Sequence, residues 1–422
     1  MTYKELNTIL ESKPQEYLSP LQDLVALDTS CIGHGIDGGR EKAGQDYIAQ
    51  LMRQLGGQVK IVPMCEEDIQ KGISEYGEGN PGHVYKDRSN VYATFKGGSG
   101  KSLMFNGHID TIPAEDEARW SVPPLSAEVR DGKLYGLGVC DMKGGLMASV
   151  MAVKLLKDAG IDLPGTVFIT SVADEEGGGN GSIAAAIQGL KADSVLVCEP
   201  TSDELIAATM GFVFFRVEVE GLSIHSGAKW LGVSAIDKCL KLISALGELE
   251  HKWLLQYKHP LLPPPNLNVG TIRGGSVGST VPGSCMFETC IHYHPGTMSH
   301  NQIVQEFTQT IACAADGDIW LREQRPKLTM YQSGGAYEMN IEHPFVRSFE
   351  RAFTAVRGVT PKITGSPAGC DSRVWRNIAG CPTLQYGPGF MAQCHSVDEY
   401  LDLSVYYETI LIYAQLILDW CK

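Results

Sequence analysis

Apolar and polar positions follow two different periods along this chain. In its first half, short runs such as Leu103–Phe105, Val167–Val172 and Val195–Cys198 are nearly continuous in apolar and β-branched residues, the pattern of strands buried on both faces. Between them the period becomes helical. Residues 41–55 place Ile48, Leu51, Met52 and Leu55 on one face and stop at Gly56 and Gly57, and residues 146–160 and 182–190 are further apolar helices. Helices that alternate with buried strands predict an α/β fold, a mostly parallel mixed sheet flanked by helices. Residues 62–88 are polar, acidic and rich in Gly and Pro, and read as a long surface loop.

From Met210 the rhythm changes. Residues 212–221 alternate as a half-exposed strand, Ile236, Leu240 and Ile243 mark an amphipathic helix, and residues 266–272 and 284–294 are strands. Ser299 and Gln302 form a capping box ahead of Ile303, Phe307 and Ile311, and residues 326–331 close the set. The order β-α-β-β-α-β predicts a ferredoxin-like α+β domain over 210–332, inserted into a discontinuous domain of residues 1–209 and 333–422. Thr383–Tyr386 is one more short strand, and the helix from Leu403 to Cys421, apolar nearly all round, is expected to be buried against the sheet.

At 422 residues the chain suits about two domains. Thirty-five Lys and Arg face 49 Asp and Glu, a net charge of -14, which argues against nucleic acid or an anionic membrane surface as a partner. Twelve cysteines are scattered without a C-x-x-C pair, so they read as reduced residues of a cytoplasmic protein and argue against thiolate-bound zinc. No run of 18 apolar residues suggests a membrane span.

Candidate chemistry collects at the strand ends. The strand at 103–105 leads through Gly107 into His108 and Asp110, which share one face of an extended segment while Ile109 turns back. H-x-D occurs often by chance, and the pair taken alone reads sooner as a hydrogen-bonded structural His. The next strand ends in Asp174, Glu175 and Glu176. Two carboxylates about 4 Å apart repel by roughly 4 kcal/mol at an effective dielectric near 20, so such a site protonates one, splays them or holds a cation. The strand at 195–198 ends in Glu199, and His395 lies beyond the strand at 383–386. Gly136 and Gly138 begin a G-x-G-x-x-G pattern whose third glycine position is Asp141. A carboxylate there would repel a pyrophosphate, which disfavours a nicotinamide oxidoreductase and makes Asp141 a candidate ligand. His108, Asp141, Glu175, Glu176, Glu199 and His395 together suit zinc, with Co2+ or Mn2+ as substitutes, as two ions sharing one carboxylate. Such a pair can bind a hydroxide and stabilise the oxyanion formed when it attacks a carbonyl.

The segments GHIDTIP, GLGVCDMKGG, SVADEEGGG, CEP, GLSIHSG, CDSR, YGPG and CHSVDEY occur in that order. With them nearly the whole chain resembles the co-catalytic zinc amidohydrolases that include acetylornithine deacetylase, succinyl-diaminopimelate desuccinylase, aminoacylase and the glutamate carboxypeptidases. IHYHP and ELEHKW look most similar to the acetylornithine deacetylase and formylaminopyrimidine deformylase branch. The resemblance implies that His108 and Glu199 hold one zinc, Glu176 and His395 the other, and Asp141 bridges them, with a cis Asp141–Met142 bond. It implies Glu175 as general base and Asp110 as the residue that orients His108. The inserted domain becomes a lid and the dimerisation surface of a homodimer, from which His225 reaches the partner's site to bind the oxyanion. Arg373 matches an arginine that grips a substrate carboxylate, a structural ion pair being its other reading. Ser279 and Gly387 match positions near the substrate. Cys370 stands where relatives usually have Thr, Ser279 where many have Asn and His292 where many have Arg, so no one relative's specificity transfers directly.

The expected activity is hydrolysis of the amide bond of a small N-acyl amino acid or related N-acyl amine by a metal-bridging hydroxide. Dipeptidase, carboxypeptidase, desuccinylase or formylaminopyrimidine deformylase activity would use the same metals. A non-catalytic small-molecule binder would betray itself by loss of Glu175 or of a ligand, and none is lost.

Overall fold

The four apolar strands lie side by side in the computed structural model, which describes residues 3–114 and 116–422. Gly165–Val172, Gly100–His108, Val195–Val197 and Thr383–Gln385 form, in that order, the parallel centre of a mixed sheet. Phe105 stands opposite Ile169 on one side and Leu196 on the other, and Leu196 opposite Leu384. All four side chains are fully buried, which is why these strands carry no polar alternation. Antiparallel strands complete the sheet. Ser89–Phe95 and then Gln58–Pro63 extend it on one side, and Leu205–Thr209 pairs with Thr383–Gln385 on the other. Helix Leu403–Trp420 packs on helices Gly144–Asp158 and Pro344–Arg357 and on strand Gly100–His108, where the Tyr413 ring lies 4.9 Å from that of Phe105. Among the described residues no helix is long and apolar enough to cross a membrane, and no disulfide links the cysteines.

Residues 62–88 depart from the loop expected there. They contain helix Glu66–Tyr76, with three acidic residues in its first turn and Gly77 in the left-handed conformation at its end, φ 71°. Both features favour a short helix, yet only Ile69 and Gly72 are buried, too few positions to show a period.

Contacts divide the chain into two compact units. One comprises residues up to Ala207, Met339–Gly365 and the chain from Cys370 onward; the other is Ala208–Glu338 with Ser366–Gly369. The second unit is a four-stranded antiparallel sheet in the order Asn266–Gly274, Ser284–Tyr293, Gly211–Glu220, Lys327–Gly334, the ferredoxin-like arrangement. Helices Ala235–Gln256 and His300–Asp316 share its core, with Phe215 stacked on Phe307 at 4.1 Å and Val213, Val217 and Val219 buried with Leu242, Leu246 and Ile311. Ser299 Oγ accepts from the Gln302 N–H at 3.1 Å as an N-cap, while the Gln302 amide donates to Tyr257 and Glu306.

Candidate active site

Three of the four parallel strands deliver candidate ligands at or just beyond their carboxyl ends, where open α/β sheets place their ligands, and His395 follows the fourth after a further helical turn. His108 ends the longest of them, and Ile109 folds back into the core with its N–H on Val172 O at 2.9 Å. The Asp110 carboxylate accepts from the Glu175 and Glu176 N–H groups at 3.2 and 3.0 Å, so it shapes the acidic turn. It holds His108 chiefly through its main chain: His108 Nδ1 lies 2.9 Å from Asp110 O and 3.8 Å from the nearer carboxylate oxygen.

His108 Nε2 is thereby aimed at Asp141, 3.1 Å from Oδ1. The other Asp141 oxygen, Oδ2, lies 3.5 Å from His395 Nε2, which is itself 3.0 Å from Glu176 Oε1. Glu199 Oε1 is 3.8 Å from His108 Nε2. Ligand-capable atoms of His108, Asp141 and Glu176 all lie within 4.8 Å of one another, as do those of His108, Glu175 and Glu199. The Asp141–Met142 peptide bond is cis, as the resemblance implies. Six residues spread over almost 290 positions of sequence thus share one site, and the two oxygens of Asp141 face two different imidazoles.

The electrostatics are those of an anion-rich site. Burial, with the charges of neighbouring carboxylates, pushes the Glu175 and Glu199 carboxyls well above their ordinary range and raises Glu176 as well. For Asp141 burial acts upward, but the hydrogen bond and charge of His108 and the charge of His395 outweigh it and hold the carboxyl low. His395 is raised to about 9, chiefly by its hydrogen bond to Glu176. Burial disfavours a charge on His108, but its bond to Asp141 and the surrounding carboxylates hold it well above the usual imidazole value. Two imidazoles and crowded oxygen donors fit a pair of divalent ions, which would offset the burial and the repulsion that raise Glu175, Glu176 and Glu199.

Other sequence candidates sit around this centre. Gly387 is pressed against the end of the Glu199 strand, where a Cβ would stand 2.1 Å from Cys198 O and 2.7 Å from Glu199 O, so only glycine fits. Arg373 is 2 % exposed and donates to Glu78, Cys370 O and Gly178 O, the geometry of an ion pair bracing the acidic turn. Asp174, first of the three acidic residues, points away from its neighbours into a buried network with Arg88 and His83, at 3.0 and 2.7 Å. His225 and Ser279 belong to the second unit, where Ser226 N donates to Ser279 O at 2.8 Å and the exposed His225 ring accepts from Gly227 N.

Two features escape a reading of the sequence. Glu399 is buried with its carboxylate on the main-chain N–H groups of Gly138, Cys140 and Asp141. Its only sequence signal is its place within the quoted segment CHSVDEY. A cavity of about 720 Å³ opens beside Asp141, Glu176 and His395, walled by Ile112, Trp120 and Val397, with Arg119 at its edge.

The chain is similar in sequence and in fold to known proteins. The model of "Peptidase family M20/M25/M40" matches residues 104–419. The chain is 32% identical over 363 residues to N-formyl-4-amino-5-aminomethyl-2-methylpyrimidine deformylase of Bacillus subtilis (strain 168), covering 80% of this chain and 84% of that protein. It is 28% identical over 381 residues to acetylornithine deacetylase of Proteus mirabilis (strain HI4320), covering 89% of each. Its fold is similar to that of an M20 family metallo-carboxypeptidase from Sulfolobus solfataricus, with a TM-score of 0.75 at 17% identity over 96% of this chain and 99% of the other.

Proposed function

From the premise that this chain belongs to peptidase family M20/M25/M40 and is a metal-dependent amidohydrolase, we propose that it cleaves the amide bond of a small N-acyl amine. One observation carries the reading: the Asp141 carboxylate faces His108 with one oxygen and His395 with the other. In this reading His108 and Glu199 would hold one ion and Glu176 and His395 a second, with Asp141 placed to serve both and Zn2+ favoured by the donor set. Bound ions would supply an electrophile for the substrate carbonyl and would acidify a water.

The protein's own groups move the protons. Glu175 adjoins the ligands, and burial and nearby carboxylates raise its proton affinity, as a general base that must later act as an acid requires. It takes the proton from the attacking water and returns it to the amine nitrogen as the C–N bond breaks. The names of the deformylase and the deacetylase point to a formyl or acetyl group on the amine.

The decisive experiment incubates metal-free protein, and protein restored with Zn2+, Co2+ or Mn2+, with N-formyl, N-acetyl and N-succinyl amines beside dipeptides. Turnover of an N-acyl amine only after metal is restored is expected. Cleavage of dipeptides alone overturns the acyl reading, and full turnover without metal overturns the site.

The second unit is proposed as a lid and as the interface of a homodimer, with His225 serving the partner's site. The His225 ring accepts at Nδ1 from Gly227 N, 3.1 Å, which leaves its proton on Nε2 as a donor for an oxyanion. Mixing inactive Glu175→Gln and His225→Ala proteins under subunit exchange should restore about a quarter of wild-type activity if the site is shared across a two-fold axis. No recovery, with exchange verified by mass, rejects the shared site.

A further inference from the structure

The backbone that presents Asp141 departs from helical geometry. Gly138 has φ 73°, Asp141 lies at φ -115° and ψ 94°, and Met142 at φ -131°. Buried main-chain N–H groups in such a loop need acceptors from elsewhere. One residue supplies them. Glu399 Oε1 accepts from Cys140 N at 2.7 Å and from Asp141 N at 3.1 Å, Glu399 Oε2 accepts from Gly138 N at 2.8 Å, and the Glu399 carbonyl accepts from Gly136 N at 3.0 Å. At 2 % exposure its carboxylate has little access to water as a competitor.

The clamp is itself anchored. Directly after it, strand Tyr400–Asp402 pairs antiparallel with Lys133–Tyr135, the strand that leads into the Asp141 loop, with Tyr400 opposite Tyr135. His395 lies four residues before Glu399. The segment that contributes the exposed imidazole therefore also grips the loop of the carboxylate lying between the two imidazoles.

We propose that Glu399 is the positioning residue of the metal centre: by holding the Gly138, Cys140 and Asp141 N–H groups it fixes Asp141 so that its two oxygens face His108 and His395 together. This rests on the two-ion reading above. A residue outside the ligand set then controls the affinity of both ions, and a perturbation of the 395–402 segment reaches the ion on the His108 side without touching His108.

Co2+ is the probe, titrated into metal-free full-length protein and followed by its visible absorption. Glu399→Gln keeps the shape and one oxygen for Cys140 and Asp141, but turns an NH2 group toward the Gly138 N–H. Glu399→Ala removes both carboxylate oxygens and with them all three side-chain hydrogen bonds. Glu399→Gln should weaken Co2+ binding roughly 10- to 100-fold, the usual effect of losing an outer partner of a ligand. Glu399→Ala should weaken it further, and the absorption bands of both should move because the ligand field has changed. The metal-free Glu399→Gln protein should still unfold cooperatively by circular dichroism. Binding of two Co2+ within about twofold of wild type with unmoved bands overturns the proposal, as does a loss of affinity that merely follows the unfolded fraction. Should Glu399→Ala fail to fold, Glu399→Gln decides alone. Wild-type protein that binds fewer than two Co2+ removes the two-ion premise and the inference with it, so the two failures are distinguishable.

Discussion

His108 and His395 offer the same nitrogen chemistry from opposite kinds of scaffold. His108 closes a nine-residue strand, its side chain is 1% exposed, and its second ring nitrogen is held by the Asp110 carbonyl. His395 sits among turns after a single three-residue helical turn, at φ 58°, with a side chain 47% exposed. One ring is fixed by the sheet before any ion arrives. The other is carried by a loop, with its ring bonded to Glu176 and its segment tied to the Asp141 loop through Glu399. The comparison teaches that the proposed pair of ions is held asymmetrically, by a deep anchored side and a solvent-facing side, joined through Asp141.

Breaking the joint gives the largest effect. Asp141→Ala should reduce the metal content from about two ions to less than one per chain and abolish turnover, because it removes a ligand from both sides. His395→Ala should keep the anchored ion. Elemental analysis of the two variants checks this, and an Asp141→Ala protein that retains both ions would show that the carboxylate does not join the halves.

A smaller loss is expected from Glu175→Gln, which leaves both scaffolds intact. Its metal content should equal that of wild type while kcat falls by about 10² to 10⁴, the range of general acid-base catalysis. Near-normal kcat would assign the proton to another group.

The smallest effect sharpens the asymmetry by pH. Without metal, His395 is raised to about 9 by Glu176, so its contribution to stability is complete below the ordinary imidazole value near 6.5 and is lost as pH rises through 9. An ion needs the neutral ring, so metal binding at pH 7 to 8 should expel a proton from His395, and affinity should rise with pH up to about 9. Calorimetry in buffers of different ionisation enthalpy measures the release. Equal release in wild-type and His395→Ala protein contradicts the assignment.

The anchored side was the legible one. Strand periodicity alone aligns His108 with Asp110 and sends Ile109 inward, and the buried strands announce where Glu175, Glu176 and Glu199 must emerge. In the second unit the strands and helices change period cleanly, so its elements are legible, whereas the return of Ser366–Gly369 to it leaves no local signal. Hidden were the buried polar groups. Arg88, Glu78 and Glu399 have the same composition signature as solvated charges, and nothing local distinguishes an Arg paired with Glu41 and Asp174 in the interior from one in water. Their partners lie tens to hundreds of residues away, so only the tertiary fold reveals them. The Asp110 carboxylate shows the same limit, because its nearest acceptor role, toward the Glu175 and Glu176 N–H groups, is set by the turn geometry rather than by the H-x-D spacing.

The first unit is discontinuous, and that has a consequence during synthesis. His108, Asp141, Glu176 and Glu199 are all made before the second unit begins, whereas strand Thr383–Gln385 and His395 are made after it. At 5 to 20 residues per second, roughly 10 to 40 s separate the emergence of Glu199 from that of His395. During that interval the nascent sheet lacks its strand between Val195–Val197 and Leu205–Thr209, and the acidic cluster lacks its solvent-facing ring. The second unit, whose segments are contiguous apart from Ser366–Gly369, can fold while the first waits. Completion of the proposed two-ion site is therefore a late event that waits for His395, made well after the other four ligands.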